Sequence, residues 1–263
     1  MHIRIFRILR KLERRIKTLR PFIFSHRFLL YLLGVGFLFV AAIALWVITL
    51  DIPDVSLFSE RKVEQSTKIY DRTGGILLYD VHGSVQRTVI PFDEIPRHVK
   101  NATVAIEDAD FYNHHGVSFE GIIRAFFSNI FSGNIAGQGG STITQQLIKT
   151  SLLTSKKTIT RKIKEAILAV KLELRLSKDE ILERYLNTTS FGQGGVGLGA
   201  AARGLFGKTP KELSLAQSVF LVGLLQSPTV LDPRRNFAGA KERQELILKT
   251  MTELKEIDDD EAK

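Results

Sequence analysis

The chain has 263 residues, 44% of them hydrophobic, with seven prolines and no cysteine, an ordinary globular mixture that excludes collagen-like, disordered and disulfide-stapled proteins. Without cysteine there is no thiolate zinc site and no redox CxxC, so any metal must be held by oxygen or imidazole ligands. The net charge of +9 suggests nucleic acid until it is located: residues 1–27 hold nine bases against the single acid Glu13, leaving about +1 for everything that follows, and no zinc finger or RNP box is present.

In chain order the first predicted element is the basic tail, residues 1–27, in which Ile5, Ile8, Leu9, Leu12, Ile16 and Leu19 recur at helical spacing. That pattern suits a short helix lying on an anionic leaflet, and it equally suits a plain topogenic charge cluster. Residues 28–50 then run without a charge, about 34 Å of helix at 1.5 Å per residue, enough to cross a bilayer. A cleaved signal peptide would have a shorter apolar core and a small-x-small site, and none follows Leu50. The span is therefore read as a single-pass anchor. The bases before it and the mixed charges after it place the N-terminus inside and residues 51–263 outside the cytoplasmic membrane.

Beyond the anchor, residues 51–94 read as a linker with a small β element. Lys68–Tyr70, Ile76–Tyr79 and Val85–Ile90 are β-like runs separated by Asp71-Arg72-Thr73-Gly74-Gly75 and His82-Gly83. From Ile95 to Lys263 the pattern is helical. Capping boxes stand at Thr142 with Gln145, Ser177 with Glu180 and Ser214 with Gln217. The stripes Ile163, Ile167, Val170, Leu174 and Ile247, Thr250, Met251, Leu254 fit a 3.6-residue period and are expected to face the core. The fold class is mostly α, large enough for one core.

Three sequence patterns are set aside. Gly192-x-Gly194-x-x-Gly197 follows a helical pattern without a βαβ context, so it is not a dinucleotide site. Ser59-Glu60-Arg61-Lys62 matches SxxK but has no SxN or KTG partner. The glycine-rich run from Gly133 to Gly140 lacks the lysine of a phosphate-binding loop. Two patterns carry chemistry. Val99, Ala102 and Ile106 form an apolar stripe running into Glu107 and Asp108, which puts a carboxyl at a helix end beside packed apolar groups, a setting for proton exchange with a hydroxyl, or else simply a solvated acidic terminus. Arg161-Lys162-x-x-Glu165 sets an acid one turn from two cations. On spacing alone this is a pair of surface salt bridges, although nearby Lys149, Lys156 and Lys157 add the charge that a leaving diphosphate needs.

Taken together and in order, these residues resemble the peptidoglycan glycosyltransferase domain of monofunctional transglycosylases and of the N-terminal half of class A penicillin-binding proteins. EDxxFxxHxG stands as Glu107 to Gly116, GGSTITQQ as Gly139 to Gln146 followed by Lys149, and RKxxE as Arg161 to Glu165. SKDEILERYLN, Ser177 to Asn187, is similar to the fourth motif, and RRxxVLxxM is represented by Arg243, Ile247, Leu248 and Met251. Gln244 replaces the second arginine of that motif, and Lys157 stands where the family usually has arginine, which keeps the charge and loses the bidentate fork. The stretches IYDRTGGILLYD and IPRHVKNATVAIED look more like the class A proteins, in which a transpeptidase half would follow the point where this chain stops at Lys263.

The resemblance implies a lysozyme-like fold and an inverting displacement that polymerises lipid II onto a growing glycan strand with release of polyprenyl diphosphate. It implies Glu107 and Glu165 as catalytic residues. It implies substrate contacts from Asp108, Phe111, His114, Gly116, Ser141, Thr142, Gln145, Gln146, Lys149, Lys157, Arg161, Lys162, Asn187 and Arg243. It allows a divalent cation, Mg2+ or Mn2+, at Glu165. Membrane lipids and other cell-wall synthesis proteins are the expected partners, and nucleic acid is not. A lytic transglycosylase or muramidase and an inactive membrane-tethered scaffold are the rival readings. Finally, Ile122, Ile123, Phe126, Phe127, Ile130 and Phe131 give the segment Phe119 to Ile135 a wide apolar face, which is either core or a surface dipping into the outer leaflet.

Overall fold

The computed structural model of the chain describes residues 26–49, 67–70, 72–73, 77–81, 89–124, 140–153 and 158–262. Two units divide at Ile52/Pro53. In the first, α1 (His26–Ile48) contains nearly all of the expected span, and Leu30, Phe37 and Ile48 are among its exposed apolar side chains. Among the described residues it is the one helix long and apolar enough to cross a membrane. It begins two residues earlier than the uncharged run, taking in His26 and Arg27, and Thr49 closes its end by donating from Oγ1 to the Trp46 carbonyl at 2.7 Å.

The second unit opens with an antiparallel pair, β1 (Thr67–Tyr70) and β2 (Leu77–Val81), in the register Thr67 opposite Val81, with an irregularity at Ile69/Tyr70. Of the third β-like run, residues 85–88 lie outside the described residues, and Ile90 is buried without belonging to a strand. Helices follow: α2 (Arg97–Glu107), α3 (Ile143–Ser151), α4 (Ile159–Glu173), α5 (Lys178–Thr188), α6 (Leu198–Phe206), α7 (Leu215–Leu224) and α8 (Phe237–Glu253). Among the described residues the fold is mostly α with one two-stranded β element.

α7 is apolar on nearly every side and is buried from Ser218 through Leu224, as a central helix must be, and it packs against α2, α6 and α8. α3 packs against α4 and α5. All three expected capping boxes close, with Thr142, Ser177 and Ser214 each accepting from the backbone N–H three residues on. Such bonds fix where α3, α5 and α7 begin.

One helix is turned from its expected face. In α4 the buried residues are Glu165, Leu168, Ala169 and Leu172, whereas Ile163 and Ile167 are half-buried and Val170 and Leu174 are exposed, so the stripe through these last four lies at the edge of the buried face and leaves the core towards its C-terminal end. The cause is non-local. Gly116, at φ +84°, lies so close to α4 that a Cβ there would stand 2.7 Å from the Ala169 carbonyl carbon, and this contact and the packing of α3 claim the other side of the helix.

Candidate active site

Two adjacent acids leave the end of α2 in different directions. Glu107 is its last residue and is half-buried. Asp108 turns inward, buried, and accepts from the backbone N–H of Ile143 at 3.0 Å, where the positive end of α3 favours a negative charge. His114 Nε2 lies 2.9 Å from the same carboxyl oxygen. Burial pushes the Asp108 carboxyl above its ordinary value, against the opposing pull of the Ile143 bond, His114 and Lys178. Asp108 thereby joins the loop after α2 to the start of α3.

That junction sets the second side chain of the site. Gln146, one turn into α3, donates from Nε2 to Glu107 Oε2 at 2.8 Å, and its Oε1 accepts from the hydroxyl of Tyr185 on α5 at 3.2 Å. Arg243 on α8 stands near enough for the charge of Glu107 to support its protonated form against the burial that lowers its pKa, and its Nε is buried without a hydrogen-bond partner. Around these groups opens a cleft of about 940 Å3. Of the expected site residues, the cleft brings together Glu107, Ser141, Gln146, Lys149 and Arg243.

Glu165 is not a surface partner. It is 1% exposed, with Lys162 Nζ 3.4 Å from Oε1 and Arg161 Nε 3.7 Å from Oε2. Both Arg161 Nε and Glu165 Oε2 are buried without a hydrogen-bond partner. Lys162 also donates to Ser141 Oγ at 2.7 Å, so the Arg-Lys-Glu group reaches the cleft through Ser141. A buried carboxylate needs such cations to stay charged. Glu165 offers one carboxylate flanked by two cations, and among the described residues no group of three or more His, Asp or Glu side chains is placed to hold a metal ion.

Several residues expected to contact substrate are buried and hydrogen-bonded or packed within the fold. Phe111 is fully buried, edge-on to Tyr112 and His114, with Lys178 Nζ 4.6 Å above its ring. Gly116 meets α4 and accepts from Thr142 Oγ1 at 2.7 Å. Thr142 and Gln145 are buried and spend their polar groups on capping α3. Asn187 clamps both backbone groups of Ile90 at 2.8 Å, and a side chain at Gly197 would collide with the Asn187 carbonyl at 2.7 Å. Lys157 lies outside the described residues.

The cleft also has walls that the motifs left unmarked: Arg124, Gln226, Ser227, Val230, Leu231 and Leu246. The Ser227-Pro228 pair directly after the apolar run of α7 is a turn signal that marks this place in the sequence. Gln244, the departure in the fifth motif, faces away from the cleft and donates from Nε2 to the Ala216 carbonyl at 2.6 Å, tying α8 to α7. Its loss of a guanidinium therefore removes nothing from the cleft wall. Of the six apolar residues between the first two motifs, Ile122 and Ile123 are described and both are exposed, so the reading that packs all six in the core does not hold. The other four lie outside the described residues.

A family model described as transglycosylase matches residues 75–252. The chain is 39% identical over 237 residues to penicillin-binding protein 1A of Rickettsia bellii, covering 89% of this chain and 29% of that protein. It is 42% identical over 203 residues to penicillin-binding protein 1A of Aquifex aeolicus, covering 77% of this chain and 28% of that one. Among solved structures it is similar to penicillin-binding protein 1A from Haemophilus influenzae, with a TM-score of 0.41 at 20% identity over 77% of this chain and 20% of that one. The chain spans less than a third of the length of these curated relatives.

Proposed function

The chain belongs to the transglycosylase family, and from that premise we propose that it is a membrane-anchored, inverting peptidoglycan glycosyltransferase that polymerises lipid II into glycan strands and releases polyprenyl diphosphate. The observation that carries the reading is Glu107, half-buried at a helix end in a cleft also lined by Lys149 and Arg243.

In the reaction Glu107 takes the proton of the acceptor 4-hydroxyl, and the oxygen attacks the anomeric carbon of the donor. The bond from that carbon to the diphosphate oxygen breaks with its electron pair, and the new glycosidic bond forms on the opposite face. Charge grows on the leaving diphosphate, and fixed cations stabilise it most when they are already in place. Lys149 in the cleft wall and Lys162 beside Ser141 serve that role. Glu165, closed off from solvent, acts through Lys162 and Arg161 and is a positioning residue.

α1 anchors the enzyme in the cytoplasmic membrane with the catalytic unit outside, where tethering to the leaflet that holds a lipid-linked substrate raises its effective concentration without a new contact. Phe119, Ile122 and Ile123, exposed beside cleft residues Gly121 and Arg124, meet the same leaflet. The clustered cations favour polymerisation over strand cleavage, since a lytic enzyme has no diphosphate to neutralise.

The test is the purified full chain with labelled lipid II, followed by separation of polymer, monomer and cleaved strands. The wild type should give polymer, and Glu107→Gln should lose on the order of 10² to 10⁴ in rate while still binding the substrate. Near-wild-type polymerisation by Glu107→Gln would overturn the base. Cleavage of added strands without polymer would establish the lytic reading.

A further inference from the structure

Exposed apolar side chains are common on a protein surface when scattered, and they carry meaning when they converge. Val230, Leu246 and Leu254 are exposed, and all three line the cleft that holds Glu107. Leu246, Thr250 and Leu254 stand four residues apart along α8 and its C-terminal cap, so they form one stripe, about 12 Å long at 1.5 Å per residue. The periodicity of the sequence places Thr250 and Leu254 in the core with Ile247 and Met251. In the structure Ile247 and Met251 are buried and Leu254 is exposed. α8 thus shows one apolar face to the core and a second to the cleft.

The stripe begins one turn after Arg243, whose Nε is buried without a hydrogen-bond partner. A guanidinium in a cleft calls for an oxyanion, and phosphate oxygens match its fork of donors. Beyond this cation the wall turns aliphatic. Glu253, the acid on the same stretch, pairs with Lys249 at 3.9 Å. A saccharide laid along Leu246 and Leu254 would leave hydroxyls without partners, whereas a hydrocarbon gains by being covered. A cation followed by an aliphatic stripe is complementary to a diphosphate followed by a polyprenyl chain. The same cleft is lined by Gly121 and Arg124, next to the exposed Ile122 and Ile123, so the hydrocarbon finds further apolar surface at the rim.

We propose that Val230, Leu246 and Leu254 form the subsite for the first isoprene units of the lipid-linked donor, with Arg243 joining Lys149 on its diphosphate. A diphosphate that enters the cleft draws these units out of the bilayer, and the stripe covers hydrocarbon that water would otherwise meet. The released polyprenyl diphosphate carries the same two parts and occupies the same place until it leaves. The assignment deepens the glycosyl-transfer reading and rests on it.

The experiment compares geranyl diphosphate, a water-soluble stand-in for the diphosphate and the start of the tail, with inorganic diphosphate, using the full chain in lipid nanodiscs. Calorimetry measures the binding of each, with empty nanodiscs subtracted, and each is also titrated into the lipid II polymerisation assay. The wild type should bind geranyl diphosphate about tenfold more tightly than inorganic diphosphate. Leu246→Asn combined with Leu254→Asn should remove that preference and leave the binding of inorganic diphosphate unchanged. Arg243→Gln should weaken both ligands by about tenfold and keep the preference. Inhibition of polymerisation should follow the same order. Absence of the preference in the wild type, or its survival in the double variant, would overturn the proposal. Should the double variant fail to fold, Val230→Asn decides, and an undiminished preference there overturns it. Geranyl diphosphate that binds with the expected preference yet leaves polymerisation untouched would overturn the assignment to the donor. A wild type that shows the preference but makes no polymer from lipid II would instead remove the glycosyl-transfer reading and leave the polyprenyl-binding stripe in place.

Discussion

At the scale of single residues, Glu107 and Asp108 are neighbours in the chain with opposite duties. Asp108 is buried, and its worth lies in the Ile143 N–H it satisfies. Asp108→Ala should therefore cost about 1–3 kcal/mol, the penalty for leaving a buried donor unpaired, and Asp108→Asn should cost less because it keeps an oxygen there. The sign of the pH dependence follows from the raised carboxyl. A group whose folded pKa lies above its unfolded value contributes stability that is complete below the unfolded value, 3.8 here, and is lost as pH rises through the folded one. The stability of the wild type relative to Asp108→Asn should therefore fall as pH rises above 3.8, as read from urea midpoints at each pH. A constant gap would contradict the desolvation that the buried position implies.

At the scale of elements, α4 shows what periodicity leaves open. A 3.6-residue pattern fixes that a helix has an apolar side, but α4 carries apolar residues on two sides, through Ile163, Ile167, Val170 and Leu174 and through Leu168, Ala169 and Leu172. The choice falls to its neighbours. Leu168 is fully buried and Leu174 is 81% exposed. Leu168→Ala should cost about 2–5 kcal/mol in denaturant unfolding, and Leu174→Ala should stay within about 0.5 kcal/mol. Equal losses at the two positions would restore the face expected from sequence. The capped helices behaved differently, because a capping box is a contact between residues three apart and is fully present in the local sequence.

At the scale of the whole molecule, the charge asymmetry about α1 becomes a statement about topology. With nine bases before the span, protease added outside intact spheroplasts should digest the chain beyond Asp51 and spare the basic tail. Digestion of the tail with protection of the larger unit would reverse the orientation and remove the catalytic unit from its proposed substrate. What the sequence by itself determined is what short stretches of chain encode: a membrane-length apolar run, helix starts, a small hairpin and the ordered motifs that identify the family. Tertiary structure decided which motif residues meet. Glu107 and Gln146 are 39 residues apart, as are Gln146 and Tyr185, and Asn187 reaches back 97 residues to Ile90. No local period or cap carries such information. It arises only when packing buries Asp108, Thr142, Gln145, Asn187 and Glu165, obliges each to find a partner, and leaves Glu107 at the mouth of the cleft, because a polar group removed from water must be satisfied wherever the fold brings it.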